Sequence, residues 1–485
     1  MTKELQGRIH APDADPSVVA AISGTTETIS WFARQQSHTR NLLRMRLGVD
    51  RAIAFTILAR GWASVAGLVT VALIARFLTP AEQGYYYTFG SLIALQIVFE
   101  LGFSFVILQM ASHERAHLAF SPGGVITGSP IAHARLASVL QKTVRWYTSA
   151  AILLAVFLLT AGSHFFSTHQ QSGQAVAWRF PWYAAALAAT LTFQLDPLLS
   201  FMEGCGFVSN VARLRFAQAV TGSTLAWLAL VLHHGLFAPA MVITGNAGVA
   251  LIWLVGKREL LLPLLRHSTG EHRIHWWSEV WHFQWRIAVS WLCGYFIFQL
   301  YNPVLFAYHG AVVAGQMGMS LSLANALTSV AISWVNTKAA PFGGMIARKE
   351  YERLDGIFFQ SVKQSFGVCT VGALVILIAA VYLKHAGIAI AHRVLDPLPL
   401  GLLMANTMMN VIVFAEATYL RAHKQEKFLL PSVLGAILTG ASTYFLGRSY
   451  GAFGVVTGTF FVGLLMGLPL GTYTFLKYRR LWHAA

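Results

Sequence analysis

The sequence predicts an all-α polytopic membrane protein with about twelve transmembrane helices. Hydrophobic residues make up 56% of the 485 residues and charged residues only 11%, too few to surround one water-soluble core with a polar shell. Apolar runs of about 18 to 25 residues recur along the chain, which is the length that a helix needs to cross a hydrocarbon layer. Helices satisfy their own backbone hydrogen bonds there, so no soluble catalytic domain is expected.

Each helix is predicted from an apolar window that ends at charged, glycine or proline residues. The first two windows are joined by Thr79-Pro80-Ala81-Glu82-Gln83-Gly84, which has the composition of a tight turn, and the second helix is expected to begin at Tyr85. The predicted spans are 52–78, 85–110, 146–162, 181–203, 208–232, 237–256, 283–306, 315–340, 366–383, 398–420, 428–447 and 451–476.

Basic residues fall in alternate links between these spans. The N-terminal segment, the links 111–145, 257–282 and 341–365, the short link around Lys424 and the tail after Lys477 carry most of the Lys and Arg. The positive-inside rule therefore predicts that both termini are cytoplasmic. The net charge of +16 is explained by this orientation, so no nucleic acid partner is expected.

Other residue types suggest no further chemistry. The first 45 or so residues lack the pattern of a cleaved signal peptide and are expected to form a partly disordered cytoplasmic extension. The three cysteines have no CxxC spacing, so no disulfide framework is predicted. No carboxylate or cysteine is expected to complete a metal site at His233-His234 or at His113 and His117. No Walker-type loop or catalytic triad is present, so we expect a transporter without a cofactor and not an enzyme.

Two faint internal similarities indicate a duplication. The turn from Arg76 to Gly84 resembles the stretch from Ala307 to Gly315, and Phe180-Pro181 resembles Leu398-Pro399, each opening a span. Six spans per copy give both halves one orientation, with the pseudo-symmetry axis along the membrane normal. The predicted division is an extension 1–50, an N-terminal six-helix lobe 51–256, a cytoplasmic linker 257–282, a C-terminal six-helix lobe 283–476 and a cytoplasmic tail 477–485.

Several ionisable side chains fall inside the predicted spans, where each costs about 2.5 to 3.5 kcal/mol to insert. At 1.5 Å per residue, Arg60 and Glu100 both lie about 12 to 15 Å from the cytoplasmic end, so neighbouring antiparallel helices are expected to bring them together. Asp196 lies about 10 Å deep. Arg213, Arg215, Arg286, Lys338 and Glu416 also lie inside the spans, and, like Arg60, Glu100 and Asp196, they fall in the cytoplasmic half.

These charges allow two interpretations. In the first, Arg60 and Glu100 form a structural ion pair and the interfacial charges reach the lipid headgroups. In the second, the deep charges line a water-filled cavity. We favour the cavity for Arg60, Glu100 and Asp196, and headgroup contacts for Arg213, Arg286, Lys338 and Glu416. An excess of cations in that cavity suits an anion such as a pyrophosphate; these cations are Arg60, Arg213, Arg215 and Arg286.

The segment from Leu73 to Tyr86 resembles the opening signature of the O-antigen and polysaccharide flippase family of the multidrug/oligosaccharidyl-lipid/polysaccharide (MOP) exporter superfamily. The shared pattern is an apolar helix that ends in Arg76-Phe77-Leu78, a turn with Pro80, Glu82 and Gly84, and an aromatic start to the next helix. The acidic residue Glu100, shortly before Gly102, also fits the family's second helix. The specific part covers about 60 residues.

The resemblance implies two six-helix lobes around a central cavity and a flippase of the bacterial inner membrane. Its expected substrate is an undecaprenyl-diphosphate-linked oligosaccharide for O-antigen, capsule or exopolysaccharide, moved by alternating access, with a polymerase and glycosyltransferases of the same pathway as partners. In that scheme the four arginines meet the diphosphate, and Glu100 and Asp196 couple an ion. Three alternatives stay open: a multidrug exporter of the same superfamily, a non-transporting scaffold of a glycan assembly complex and, with less support from the short periplasmic loops, a polymerase or glycosyltransferase.

Overall fold

The computed structural model describes residues 51–120, 125–170, 176–270, 272–423, 425 and 427–483. The predicted extension, residues 1–50, lies outside the described residues. Nine helices in the described ranges are long and apolar enough to cross a membrane, and a bent pair makes a tenth. Two of these, Gln284–Ala347 and Leu429–His483, each contain a non-helical glycine that divides them into two crossings. The total is therefore twelve, the predicted number.

We number the crossings α1 to α12 in chain order. The first lobe contains α1 (Arg51–Phe77), α2 (Pro80–Glu100 and Phe103–Arg115), α3 (Pro130–Thr168), α4 (Arg179–Gly204), α5 (Val208–Val231) and α6 (Gly235–Val255). The second lobe contains α7 (Trp281–Phe298 and 301–309), α8 (311–336 and Ala339–Ala347), α9 (Tyr351–His385), α10 (Pro397–Ala422), α11 (429–450) and α12 (452–483). Strands β1 (Leu118–Phe120) and β2 (Ile126–Gly128) form an antiparallel hairpin between α2 and α3.

A glycine makes the turn between α11 and α12. Gly451 has a φ of 62°, which other residues rarely adopt. Beyond it the helices are in close contact: a Cβ on Gly454 would lie 2.1 Å from the Leu446 carbonyl oxygen, and one on Gly458 would lie 3.0 Å from the Ser442 Cβ. Gly454 lies beside Leu446 and Gly458 beside Ser442, so contacting residues lie at similar distances along the chain before and after Gly451. The two helices therefore form an antiparallel hairpin.

The second helix begins earlier than predicted. Its first residue is Pro80, and Thr79 caps it: the Glu82 backbone N–H donates to the Thr79 hydroxyl at 3.2 Å, and the Thr79 backbone N–H donates to the Glu82 carboxylate at 2.8 Å. This capping box satisfies amides that have no partner within the helix. The prediction of a turn over residues 79–84 is therefore wrong, because those residues form the first turn of α2.

The predicted continuous span 85–110 is also wrong. Directly after Glu100 the backbone enters the left-handed region at Leu101 (φ 50°) and Gly102 (φ 69°), and the two parts of α2 meet at 46°. A left-handed residue ends a helix because it cannot continue the hydrogen-bond ladder. The break leaves the end of the first part, with Glu100, beside the start of the second.

Two helices extend well beyond their apolar windows. α3 begins at Pro130, next to the N-cap Ser129, and not at residue 146, while α9 begins at Tyr351 and not at residue 366. Much of the predicted loop 111–145 is therefore helical, and three of its four basic residues, Arg135, Lys142 and Arg145, lie on α3. Hydropathy marks only the part of a helix that lipid can cover, so polar turns beyond it are missed.

The links define two ends of the bundle. The basic end contains the links after α2, α4, α6, α8 and α10 and the last described residue, and the far end contains the short links after α1, α5, α7 and α11. The linker between the lobes lies at the basic end and contains a helix, Arg258–Arg266, with Leu260, Leu261 and Leu264 buried. The proposed lobe boundaries stay a prediction.

An ion network holds the linker against α2 and α3. Arg135 donates to Glu114 at 2.8 Å and to Glu279 of the linker at 2.6 Å, and the His275 backbone N–H donates to Glu279 at 2.8 Å. Burial acts to raise the pKa of Glu279, but the bonds from Arg135 and from His275 outweigh it and hold that pKa below its usual range.

We expect acid to loosen the linker, which Gln141 and Lys142 still hold through its carbonyl oxygens. Because the pKa of Glu279 is lower in the folded protein, its contribution to stability is complete above the unfolded value of about 4.3 and is lost as the pH falls through the folded value. A spin label at position 272 should therefore stay immobile from pH 7 to about pH 4 and become mobile below it. Glu279→Gln should be mobile already at pH 7, and an unchanged label in that variant would contradict the role of the network.

Candidate functional site

The two lobes touch through glycines at the far end. A Cβ on Gly84 of α2 would lie 1.9 Å from the Ala311 carbonyl oxygen of α8, and a Cβ on Gly315 would lie 2.9 Å from the Gly84 amide nitrogen. Distances under 3 Å are closer than real Cβ contacts, so only glycine permits this approach. Backbone contact between α2 and α8 therefore closes the space between the lobes at this end.

Hydrogen bonds reinforce the closure. The Gln83 side chain, 1% exposed, donates to the carbonyl oxygens of Gly315 at 2.8 Å and of Arg393 at 2.9 Å. Arg393 in turn donates to the Leu78 carbonyl oxygen at 2.5 Å. Gln83 and Leu78 belong to the first lobe and their partners to the second, so these bonds must break before the far end can open.

A second contact between the lobes lies at the break in α2. Gln284 of α7 is fully buried and donates to the Leu101 carbonyl oxygen, which the break leaves without a helical partner. A Cβ on Gly102 would lie 2.5 Å from the Ile287 side chain. We call these contacts the α2–α7 seam; they fix the broken helix to the second lobe next to Glu100.

Glu100 and Asp196 belong to one acidic cluster in the first lobe. The Glu100 carboxyl lies against Ser104, whose hydroxyl is 3.3 Å from that of Tyr147 on α3. Asp196 of α4 interacts electrostatically with Glu100 and with Tyr147. The structure therefore brings together the two carboxyl groups that the helical rise placed at one level. Their role in ion coupling stays a prediction.

The four arginines are all exposed in the structure. Arg215 lies 3.2 Å from Glu203, and the Arg286 guanidinium lies 5.5 Å from the centre of the Trp285 ring. In the described part of the chain, Arg60, Arg213 and Arg286 form no ion pair. The expected contact between Arg60 and Glu100 is accordingly not present.

Helix α1 packs against α5, which explains the missing contact. The Trp62 indole N–H points at the Ala219 carbonyl oxygen, 3.3 Å away, and at the Ser223 hydroxyl, 3.0 Å away. The Trp227 indole N–H donates to Thr70 at 2.9 Å. Depth along a helix follows from the sequence, but the choice of neighbouring helix depends on these indole and hydroxyl groups and not on the charges.

The same groups line a cavity, formed mainly by the first lobe and closed by α8 of the second lobe, that the sequence did not reveal. Its volume is about 350 Å³, and α1, α2, α5, α6 and α8 contribute to its wall. The polar and aromatic members are uncharged, and one of them, Asn246, has a buried carbonyl oxygen without a hydrogen-bond partner. The sequence feature that could have indicated this cavity is the presence of uncharged polar and aromatic residues inside apolar spans; they include Trp62, Thr70, Tyr86, Tyr87, Ser223, Asn246 and Ser322.

The second lobe has buried carboxyl groups of its own. Asp355 of α9 accepts hydrogen bonds from the Tyr419 hydroxyl at 2.9 Å and from Arg479 at 2.8 and 2.5 Å. Glu416, expected at the headgroups, is only 5% exposed and accepts a hydrogen bond from Thr472 at 2.8 Å. That expectation is wrong, because α12 covers Glu416.

No group of three or more potential ligands in the described residues is arranged to hold a metal ion. The three cysteines are free and buried within the bundle. The site therefore consists of the closed far end, the α2–α7 seam, the acidic cluster, the exposed arginines and the uncharged cavity. Such a set of groups offers contacts for both a charged and an apolar part of a bound molecule.

No protein-family model and no curated protein sequence matches the chain. A solved structure described as the inward-facing conformation of a multidrug resistance MATE family transporter of the MOP superfamily is similar with a TM-score of 0.57 and 13% identity, covering 88% of this chain and 99% of that one. The lipid II flippase MurJ in an inward closed conformation is similar with a TM-score of 0.53 and 12% identity, covering 89% and 90%. The chain therefore has the two-lobe fold of the MOP superfamily transporters.

Proposed function

We propose that the protein is an alternating-access flippase that moves an undecaprenyl-diphosphate-linked oligosaccharide across the bacterial inner membrane. The observation that carries the proposal is the set of exposed arginines inside the helices near the basic end. A cation in a membrane helix is costly unless an anion or water meets it. Arg60, Arg213 and Arg286 have no carboxylate partner in the described residues, which suits a substrate that supplies its own negative charge.

The proposed flippase has a defined orientation in the membrane and a transport cycle. With the basic end in the cytoplasm, the closed far end faces the periplasm, and the substrate enters between the lobes from the cytoplasmic leaflet. Protonation or cation binding at Glu100 and Asp196 drives the return step. A polymerase and glycosyltransferases of the same pathway supply and consume the glycan.

We expect the loss of one deep arginine to stop transport without affecting insertion. Proteoliposomes that contain a fluorescent undecaprenyl-diphosphate-linked sugar report its movement through quenching from outside. Arg60→Gln should lower the rate at least about tenfold, since a charge-assisted hydrogen bond to phosphate contributes about 1.5 to 3 kcal/mol. Arg76→Gln, which removes an exposed arginine at the other end of α1, is the matched control and should transport normally.

A second variant changes Glu100 in the acidic cluster. Glu100→Gln keeps the shape of the side chain but cannot lose a proton, so we expect inserted protein without transport. Wild-type rates in both Arg60→Gln and Glu100→Gln would contradict the assignment of these residues.

A multidrug exporter of the same superfamily is the second candidate. The uncharged aromatic cavity in the first lobe favours it, because such a cavity accepts an amphiphile by stacking and packing. Drug resistance on overexpression, together with no movement of the lipid-linked sugar by the wild type, would decide for the exporter. Binding of partners without any transport would decide for a scaffold.

A further inference from the structure

The two parts of α2 contact different lobes. Besides the glycine contact at the far end, the Ser91 hydroxyl of the first part accepts a hydrogen bond from Asn302 of α7 at 3.2 Å. On the second part, a Cβ on Gly204 of α4 would lie 2.5 Å from the Leu108 carbonyl oxygen. The first part therefore contacts the second lobe, while the second part packs closely against its own lobe. A movement between the lobes acts on the angle at which the two parts meet.

The break between the two parts exchanges one hydrogen bond for another. In a continuous helix the Leu101 carbonyl oxygen accepts from the backbone N–H of Phe105, one turn later. In the structure the Phe105 N–H donates to the Gly102 carbonyl oxygen at 3.2 Å, and the Leu101 oxygen accepts from the Gln284 side chain of α7. Gln284 therefore competes with the continuation of α2 for the same acceptor.

Two observations indicate that α7 is needed to keep the helix broken. Leu101 has a φ of 50°, a left-handed conformation that is unfavourable for a residue with a Cβ. Gln284 is fully buried, and its Oε1 has no hydrogen-bond partner among the described residues, so its amide is costly to bury. Both costs are offset only where the Gln284 nitrogen reaches the Leu101 oxygen.

We propose that Gln284 is a positioning residue of the transport cycle, which keeps α2 broken in this arrangement of the lobes and releases it when the second lobe moves. The Phe105 N–H then takes the Leu101 oxygen, and α2 becomes continuous. Glu100 is the last helical residue before the break, and Asp196 lies on α4, which packs against the second part. Straightening therefore moves the two carboxyl groups relative to each other. The inference rests on their proposed role in ion coupling and adds the contact through which they respond to the second lobe.

Spin labels at positions 90 and 113, which are exposed and lie on the two parts of α2, measure whether the helix is broken. With a bend of 46° and a rise of about 1.5 Å per residue, a continuous helix separates these positions by about 3 Å more than the broken one. Gln284→Met keeps the length of the side chain but removes the donor. In phosphatidylcholine vesicles it should raise the ratio of continuous to broken helix about fivefold, the effect of losing one hydrogen bond. The matched control is Gln299→Met, which replaces an exposed glutamine at the end of the same helix and should leave the distance unchanged.

A second substitution distinguishes this role from simple packing. Leu101→Gly removes the side chain that makes the left-handed conformation unfavourable, so it should return the Gln284→Met chain to the shorter distance and restore its transport rate. If Gln284 only filled space, Gln284→Met would lower the unfolding temperature without changing the distance. That result, or a longer distance that Leu101→Gly does not reverse, would overturn the inference.

Movement of the lipid-linked sugar is measured in separate vesicles, so the two proposals can fail independently. Transport by the unsubstituted chain together with an unchanged distance in Gln284→Met would refute the role of Gln284 and leave the proposed function standing. A longer distance in Gln284→Met, from a chain that moves no lipid-linked sugar, would support the link between Gln284 and α2 and refute the proposed substrate.

Discussion

Replacing Gly84 with alanine should prevent closure of the far end. The added Cβ would lie 1.9 Å from the Ala311 carbonyl oxygen, and neither backbone can move without separating α2 from α8. Overpacking of this kind costs about 1 to 3 kcal/mol or more, which lowers the ratio of closed to open protein about 5- to 150-fold. The closed population of the far end then falls, and for the proposed flippase the transport rate falls with it.

Distance measurements between spin labels at positions 234 and 449, one on each lobe at the far end, check this result. We expect a longer distance in Gly84→Ala than in the unsubstituted chain. Gly90→Ala is the matched control, because Gly90 lies on the same helix with nothing within 4 Å of its position, and its distance should not change. An unchanged distance in Gly84→Ala would show that the glycine contact does not control closure.

Replacing Asp355 with alanine should cause the largest loss of stability. The carboxylate accepts hydrogen bonds from the Tyr419 hydroxyl and twice from Arg479, and Asp355 is 9% exposed. Its removal leaves a guanidinium and a hydroxyl without their partner inside the second lobe. Breaking a buried pair in this way costs about 3 to 5 kcal/mol, and the partial exposure of Arg479 places the expected loss at the lower end.

The three buried cysteines make this loss measurable. Thiols become reactive only when the bundle opens, so a thiol-reactive dye reports thermal unfolding. Asp355→Ala should unfold at a clearly lower temperature, while Glu352→Ala, which removes an exposed carboxylate from the same helix, should unfold like the unsubstituted chain. Equal melting of the two variants would contradict a structural role for Asp355.

Composition and hydropathy predicted the number of crossings because both depend only on which side chains can face lipid. They did not predict helix ends, since a capping box such as that of Thr79 and Glu82 lies outside the apolar window. The break at Leu101 and Gly102 was missed for a related reason. Both residues fit an apolar helix, and the left-handed backbone there is held by contacts with α7, which is far away along the chain.

The depth of the site residues along their helices could be predicted from the sequence, but the residues that lie next to them could not. The rise of a helix placed Glu100 and Asp196 at one level, and the fold brings them together. It also placed Arg60 at that level, but α1 lies against α5. Glu416 is buried because α12 folds back over it, and that contact depends on the turn at Gly451, which joins residues far apart along the chain.

The glycine contact between α2 and α8 has a consequence for how tightly the far end is sealed. In the described residues, closure uses backbone contact and hydrogen bonds to neutral carbonyl oxygens, and no ion pair joins the lobes there. Salt screens charges but leaves shape unchanged. The seal should therefore depend mainly on the fit of the two backbones, while the hydrogen bond from the charged Arg393, which also lies in the field of Glu82, should weaken in concentrated salt.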